Sequence, residues 1–145
     1  MQLSKRTQYG LRALVHFAEA YERGYLQARD LSTREKLPPR FLESILNSLT
    51  RGKYLVSKIG ISGGYRLARN PKEIMLGEIV SRLEGRGLML AQEDERPDNT
   101  PGERGVRIVQ THLTEAIRNV LDTTSLADLV EQITQNRPSG QMYFI

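Results

Sequence analysis

Residues 26–69 read LQARDLSTREKLPPRFLESILNSLTRGKYLVSKIGISGGYRLAR, and this stretch decides the fold. Its first part predicts two short helices separated by a Leu-Pro-Pro turn. Its last part predicts two short strands, over residues 55–59 and 65–68, joined by a glycine-containing loop. Two helices, a turn and a hairpin are the parts of a winged helix-turn-helix, a shape that lies in a DNA groove. We therefore predict a mainly α fold with a small β-hairpin wing.

The helix after the turn is the one expected to face DNA. Pro39 suits its first position, where a missing N–H loses no partner. The inward side is apolar, with Phe41, Leu42, Ile45, Leu46 and Leu49. The outward side is polar, with Arg40, Glu43, Ser44, Asn47, Ser48 and Arg51. Small polar residues between arginines favour recognition of base edges and phosphates over an ordinary solvated face.

Glu43 is the most informative residue of that outward side. A carboxylate that faces a polyanion is unfavourable unless it accepts a hydrogen bond, as it can from cytosine N4. Glu43 is therefore a reader of cytosine, a filter against wrong sequences, or a solvated residue without a contact.

The hairpin loop from Lys58 to Gly64 is the second candidate DNA contact. Exposed glycines and a basic flank would let it approach a DNA backbone or the minor groove, although an ordinary turn is the alternative. The wing candidates are Lys58, Ser62, Gly63, Gly64, Tyr65 and Arg66. Further candidates are Lys5, Arg6, Tyr9 and Arg29 from the preceding helices, and Pro39 at the start of the helix after the turn.

The flanking sequence predicts helices that complete this domain, which we assign to residues 1–84. Ser4 is a candidate N-cap for a helix over about residues 5–22. Its apolar face holds Leu11, Leu14, Val15 and Ala18. A later helix has a buried side made of Ile74, Leu76, Ile79, Val80 and Leu83.

Residues 85–105 are polar and rich in Pro and Gly, which predicts a flexible loop. A helix of about sixteen residues is expected after it, from apolar residues at three- and four-residue steps. They are Val106, Val109, Leu113, Ala116, Ile117 and Val120. One copy cannot bury this stripe, so we predict a homodimer that pairs the helix across a two-fold axis. A short helix completes this dimerisation region (106–136), with Leu126, Leu129, Val130 and Ile133 inward, before a tail (137–145) that docks or hangs free.

Composition narrows the function. The chain has no cysteine, which excludes disulfides and cysteine-ligated zinc or iron–sulfur sites. Residues 1–84 carry 15 Lys or Arg against 8 Asp or Glu, whereas residues 85–145 carry 6 against 9. A basic half suits phosphate binding, and a mildly acidic half suits protein contacts. No apolar run could cross a membrane and no signal-peptide core is present, so a cytoplasmic location is expected.

No pattern predicts catalysis or a metal site. His16 is interpreted as a packed or capping residue, and His112 has no partner at ligand spacing beyond Glu115. Neither a nucleophile–base motif nor a phosphate-binding glycine loop is present. An enzyme is therefore not expected.

Four segments resemble the Rrf-two (Rrf2) family of IscR-like bacterial winged-helix transcription regulators. They are LSKRTQYGLRAL at the start, PRFLESIL after the turn, GGYRLAR in the wing and TSLADL near the end. The resemblance implies a homodimer with one recognition helix per subunit in successive major grooves of double-stranded DNA, with repression favoured over activation. It also matches Glu43 to a base-reading glutamate of some members.

Two positions depart from the family pattern. Members that sense through a cluster carry three cysteines before the dimer helix, and some add a histidine early in that helix. The matching span here, 88–107, has no cysteine, with Arg104 and Arg107 near the last ligand positions, so no cofactor is expected. Many members have an arginine where this wing has Ile59, which leaves the minor-groove contact to Lys58 or Arg66.

One alternative of another class stays open. A dimeric adaptor that has lost DNA binding could act through protein partners, using the polar loop 85–105. The basic recognition surface favours the regulator. Whether an unidentified effector or partner protein controls it is left open by the sequence.

Overall fold

The computed structural model describes residues 2–85 and 96–136. In chain order the elements are α1 (Lys5–Glu19), α2 (Ala28–Glu35), α3 (Pro39–Arg51), β1 (Leu55–Lys58), β2 (Gly64–Leu67), a 3-10 turn (Pro71–Glu73), α4 (Leu76–Glu84), α5 (Pro101–Thr123) and α6 (Leu126–Gln135). The predicted fold class, mainly α with a hairpin wing, is confirmed. None of the helices in these two ranges is long and apolar enough to cross a bilayer.

α1 is the central helix, in contact with α2, α3, α4, α6 and β2. Ser4 caps it as predicted, since its Oγ accepts a hydrogen bond from the Thr7 amide at 3.2 Å. The helix ends at Glu19, earlier than expected. Its most buried residues are Thr7, Gly10, Ala13, Leu14 and Phe17. The predicted apolar face was only partly right, because Leu11, Val15 and Ala18 are half-buried. Gly10 lies on the buried face because it has no side chain. A Cβ at this position would lie 2.4 Å from Leu83 Cδ1, so the lack of a Cβ lets α4 pack closely against α1.

α2 and α3 form the helix-turn-helix. α2 ends where Lys36 adopts a left-handed conformation with φ of 55°, and Pro39 opens α3 as predicted. The fully buried apolar residues of α3 are Leu42, Ile45, Leu46 and Leu49. Phe41 differs from the prediction, since it is half-buried and packs edge-on against Tyr9. The inward side of α3 is therefore fixed in the core.

The wing consists of β1 and β2, an antiparallel pair with Lys58 opposite Gly64. Leu26 forms a single antiparallel bridge with β2, because its amide and its carbonyl each form a 2.8 Å hydrogen bond with the backbone of Tyr65. Gly64 allows this approach: its φ is +133°, and a Cβ there would lie 2.4 Å from the Leu26 carbonyl oxygen. The segment between α1 and α2 is thus part of the wing sheet.

α5 is longer than predicted. It begins at Pro101 and runs for 23 residues. Thr100 and Glu103 form a capping box, each side chain accepting the other's amide N–H at 3.1 Å. The loop predicted over 85–105 is therefore wrong at its end, because this cap draws 101–105 into the helix. The rest of that loop at 86–95, and the tail at 137–145, lie outside the described residues.

α6 folds back onto the winged domain. Leu126 is fully buried in the same core cluster as Leu14, and its amide donates to the Ile74 carbonyl at 2.8 Å. We expected residues 1–84 to complete this core without α6, and that expectation was wrong. Ile133, predicted inward, is 42% exposed, because the end of α6 extends past the core.

Candidate nucleic-acid interface

α3 presents one polar, exposed side, which we call the reading face. It consists of Arg40, Glu43, Ser44, Asn47 and Arg51. Ser48, also predicted to point outward, is only 7% exposed, so the prediction that it lies on the outward side is wrong. Arg82 of α4 lies over this end of α3 and donates from Nε to the Ser48 carbonyl at 2.7 Å. The reading face is thus narrower than its helical periodicity suggests.

The start of α1 lies beside the reading face. Arg6 donates from Nη1 to Ser44 Oγ at 3.4 Å, which brings its charge next to α3. Tyr9 is half-buried, with its ring centre 5.5 Å from that of Phe41. Tyr9 therefore helps to hold α1 against α3. The other predicted contacts of this group, which are Lys5, Arg29 and Pro39, are exposed.

One hydrogen bond links the wing to the reading face. Tyr65 donates from its hydroxyl to Asn47 Oδ1 at 3.1 Å. Burial raises the pKa of Tyr65, and the nearby charge of Glu43 raises it further, so the phenol keeps its proton and remains a donor. With Oδ1 of Asn47 engaged, its Nδ2 group remains as the donor for an outside partner. The wing thereby sets which way the Asn47 amide is presented.

Tyr25 organises the basic side of the wing. Lys58 Nζ lies 5.6 Å from the centre of the Tyr25 ring, and the Arg66 guanidinium carbon lies 4.8 Å from it. Both distances are in the range of cation–π contacts, which restrict the two cations. Arg69 instead pairs with Glu78 at 3.3 Å. Sequence reasoning missed Tyr25 because these contacts join residues far apart in the chain, so no local pattern marks them.

The wing glycines serve the hairpin itself. Gly63, predicted to be exposed, is buried, and a Cβ there would lie 2.0 Å from the Lys58 carbonyl oxygen. Gly64 is half-buried against Leu26, as described above. The prediction that these glycines are exposed is therefore wrong for Gly63. Ser62 and Gly60 are exposed at the end of the hairpin.

The later part of the reading face and the whole wing lie in a stretch of sequence that carries positive charges only. Residues 44–72 contain no Asp or Glu, and their basic residues are Arg51, Lys53, Lys58, Arg66, Arg69 and Lys72. Such a surface attracts a phosphate backbone and releases its counterions. Glu43 borders this stretch and is the acidic residue of the reading face.

His16 belongs to a structural cluster between α1 and α2. Its Nε2 is hydrogen-bonded to Glu35 Oε1 at 2.8 Å, and Arg12 pairs with the other Glu35 oxygen at 3.2 Å. The hydrogen bond with His16 holds the pKa of Glu35 below its ordinary range. Within 2–85 and 96–136, no three His, Asp or Glu side chains gather as a metal site would require.

α5 carries an exposed apolar surface, which we call the α5 stripe. Its large residues are between 55% and 60% exposed: Val106, Ile108, Val109, Leu113 and Val120. Ala116 of the predicted set is also exposed, whereas Ile117 is half-buried. No residue of α5 is buried in the single chain. Sequence reasoning missed Ile108, which falls one step beside the predicted row.

Known proteins match almost the whole chain. The family model described as "Rrf2: Iron-dependent Transcriptional regulator" matches residues 3–132. The HTH-type transcriptional regulator CymR of Bacillus subtilis is 27% identical over the full length of both chains. A putative HTH-type transcriptional regulator of Mycobacterium tuberculosis is 31% identical over 89% of this chain and 81% of its own. The solved structure of T. potens IscR is similar, with a TM-score of 0.77 and 26% identity over 99% of this chain and 96% of its own.

Proposed function

This chain belongs to the Rrf2 family of transcriptional regulators, and we propose that it is a homodimeric, sequence-specific DNA-binding protein that acts as a repressor. The observation that carries the proposal is the reading face. It is polar, exposed and rigidly backed by the core, and it is followed by a wing in a stretch without acidic residues. A family of regulators rather than enzymes fits this surface.

α3 enters the major groove and reads base edges in this proposal. Asn47 is presented as a donor by Tyr65, which suits an acceptor such as guanine O6 or N7. Glu43, one helical turn earlier, is an acceptor and suits the amino group of cytosine. Arg40 and Arg51 lie at the two ends of the face and contact phosphates, which set the register without reading sequence.

The wing holds the backbone beside that groove. Lys58 and Arg66 supply the charge, and their contacts with Tyr25 limit the conformations that each loses on binding. Lys58 and Arg66 thus take the part that the resemblance gives to a wing arginine. Neutralising either one should weaken binding to all sequences alike.

The α5 stripe pairs with the same stripe of a second copy. Exposed apolar side chains on a helix about 35 Å long are the feature that a two-fold interface would cover. Two copies then bring two reading faces to one side of the duplex, for half-sites about one helical turn or a multiple apart. Occupying such a site in a promoter blocks transcription, which is the proposed repression.

The iron of the family's description does not fit a cysteine-ligated site in this chain. Iron–sulfur clusters are held mainly by thiolates, and the chain has no cysteine among its 145 residues. The proposal therefore involves no cluster. A regulator of this kind works beside the chromosome, so the proposed location is the cytoplasm.

DNA binding is tested with duplexes that the purified full-length protein selects from a random pool. Glu43→Ala should change the selected base at one position of each half-site. Lys58→Ala should weaken binding to all duplexes and lower the slope of log K against log salt by about 1. Glu131→Ala, an exposed glutamate on α6, is the matched control and should change neither. Unaltered selection and salt slope in both test variants would contradict the proposal.

Dimerisation is tested by sedimentation equilibrium. Leu113→Glu puts a charge into the centre of the α5 stripe and should give a monomer with weakened DNA binding, because the two half-sites are no longer held together. Glu115→Ala, two positions away on the exposed surface, should remain dimeric. A Leu113→Glu dimer of unchanged affinity would exclude the α5 stripe as the interface.

A further inference from the structure

Two isoleucines lie fully in solvent at the end of the wing. Ile59 and Ile61 are each 98% exposed, whereas the other large exposed apolar residues of the described chain are between 37% and 60% exposed. Two fully exposed isoleucines, separated only by Gly60 at the end of a loop, are unusual for a surface without a partner.

The backbone holds this loop in a defined shape. The Gly63 amide donates to the Gly60 carbonyl at 3.0 Å, which closes the turn. Gln27 reaches from the segment before α2 and donates from Nε2 to the Ile61 carbonyl at 2.9 Å. Gly60 has φ of +115°, a conformation that suits glycine. The isoleucines are thus presented on a turn fixed from two sides, with little backbone entropy left to lose on binding.

The charge around the loop selects the kind of partner. Lys58 and Arg66 flank it, and no acidic residue occurs between 44 and 72. A partner must therefore combine negative charge with a narrow apolar interior. The minor groove of DNA does so, because phosphates line its rims and sugars and base edges line its walls.

The wing is also placed to reach that groove. Tyr65 is tied to Asn47 of the reading face, and the loop closes the end of the same hairpin, directly beyond Gly64 and Lys58. When α3 occupies a major groove, the loop therefore extends toward the neighbouring part of the duplex. Its contact is continuous with the proposed reading face.

We propose that Ile59 and Ile61 form an apolar wedge that enters the minor groove beside the proposed α3 site, partly unstacks one base step and bends the duplex. This inference rests on the DNA-binding function proposed above and deepens it. Apolar side chains that enter the minor groove separate base steps and kink DNA toward the major groove. Pyrimidine–purine steps deform most easily, so the wedge adds sequence preference at a position that no side chain of α3 reads.

The test uses the full-length protein and a duplex that it has selected from a random pool. A 2-aminopurine replaces one adenine at successive steps beside the α3 half-site, and its fluorescence rises where a step is unstacked. Bending is measured on the same duplex by circular permutation. The wild-type protein should raise the fluorescence at one step and bend the duplex.

The double variant Ile59→Ala/Ile61→Ala should lose both signals. Its affinity should fall about tenfold, with an unchanged salt slope because no charge is removed. Ile59→Leu/Ile61→Leu should restore both signals, since leucine also serves as a wedge. Ile133→Ala, an exposed isoleucine on α6, should behave as the wild type.

Two outcomes would overturn the inference in distinguishable ways. Salt-sensitive binding by the wild type without unstacking or bending, or with both signals kept in the double alanine variant, would exclude the wedge and leave DNA binding standing. The isoleucines would then be a surface for a protein partner. Absence of salt-sensitive binding to any duplex would contradict the DNA-binding function itself, and the wedge with it.

Discussion

The position of α6 makes the sharpest stability prediction. We expect Leu126→Ala to destabilise the winged domain, although Leu126 follows the last wing residue, Leu67, by 59 positions. Leu126 is fully buried in the same cluster as Leu14 and Leu83. Its backbone is also tied to Ile74, so the site cannot readily collapse around a smaller side chain.

The magnitude follows from the atoms removed. Leucine to alanine deletes three carbons, which is about 2.4 kcal/mol of transfer free energy at about 0.8 kcal/mol per group. A residual cavity adds to this, so the expected loss is about 3–4 kcal/mol. Ile133→Ala on the same helix is the matched control, because Ile133 is 42% exposed and should lose less than about 1 kcal/mol.

The assay is urea unfolding of the full-length chain at one protein concentration, because the stability of the proposed dimer would depend on concentration. Far-UV circular dichroism reports the helices, and the fluorescence of the tyrosines reports the surroundings of α1 and the wing. Both signals should move to lower urea together in Leu126→Ala. A change no larger than that of Ile133→Ala would refute the conclusion that α6 completes the core.

Three further predictions concern single contacts. Gly64→Ala should destabilise the wing by about 2–4 kcal/mol, through the strain of its positive φ and a clash with the backbone carbonyl of Leu26. The hydrogen bond with His16 lowers the pKa of Glu35, so the ionised carboxylate stabilises the fold above about pH 4.3, and this stabilisation is lost as the pH falls further. In Glu35→Gln the free energy of unfolding should fall less between neutral and acidic pH than in the wild type, with a difference of less than about 1 kcal/mol. Tyr65→Phe should leave stability nearly unchanged but free the amide of Asn47 to turn, so selection should tolerate more bases at one position.

Each of these has its own check. Gly60 has a similar positive φ, but a Cβ there would lie in open space, so Gly60→Ala should lose less stability than Gly64→Ala. Equal losses in the two variants would exclude the proposed clash at Gly64. For Glu35, parallel curves of unfolding free energy against pH in variant and wild type would contradict the pKa argument. For Tyr65, selection from a random pool with the same base preference as the wild type would show that its hydroxyl does not orient the amide.

Most of the local structure could be predicted from the sequence because it depends on neighbours along the chain. The apolar residues of α3 recur at helical spacing, and Pro39 and Gly52 mark its ends. The cap of α1 at Ser4 also follows from local chemistry. Where such signals were weaker the prediction failed: Pro101 and two nearby glycines suggested a loop, but the Thr100 and Glu103 cap makes 101–105 helical.

The residues of the candidate site could also be predicted where they depend on local spacing, and not where they depend on packing between distant elements. Helical periodicity correctly places Glu43, Ser44 and Asn47 on an exposed face. It also placed Ser48 there, because helical periodicity contains no information about Arg82 of α4, which packs over that end of the helix. Tyr25 was missed for the same physical reason, since its partners, Lys58 and Arg66, are far from it in the sequence.

By itself, the sequence determined the helices, the hairpin, the polar and basic character of the candidate surface, and the absence of cysteine ligands. These properties follow from side-chain chemistry and short-range spacing. Only the tertiary structure decided that α6 completes the core, that Tyr65 orients Asn47 and that two isoleucines end the wing in solvent. Such contacts depend on which distant elements pack together, and that choice follows from the burial of the whole core rather than from any local pattern.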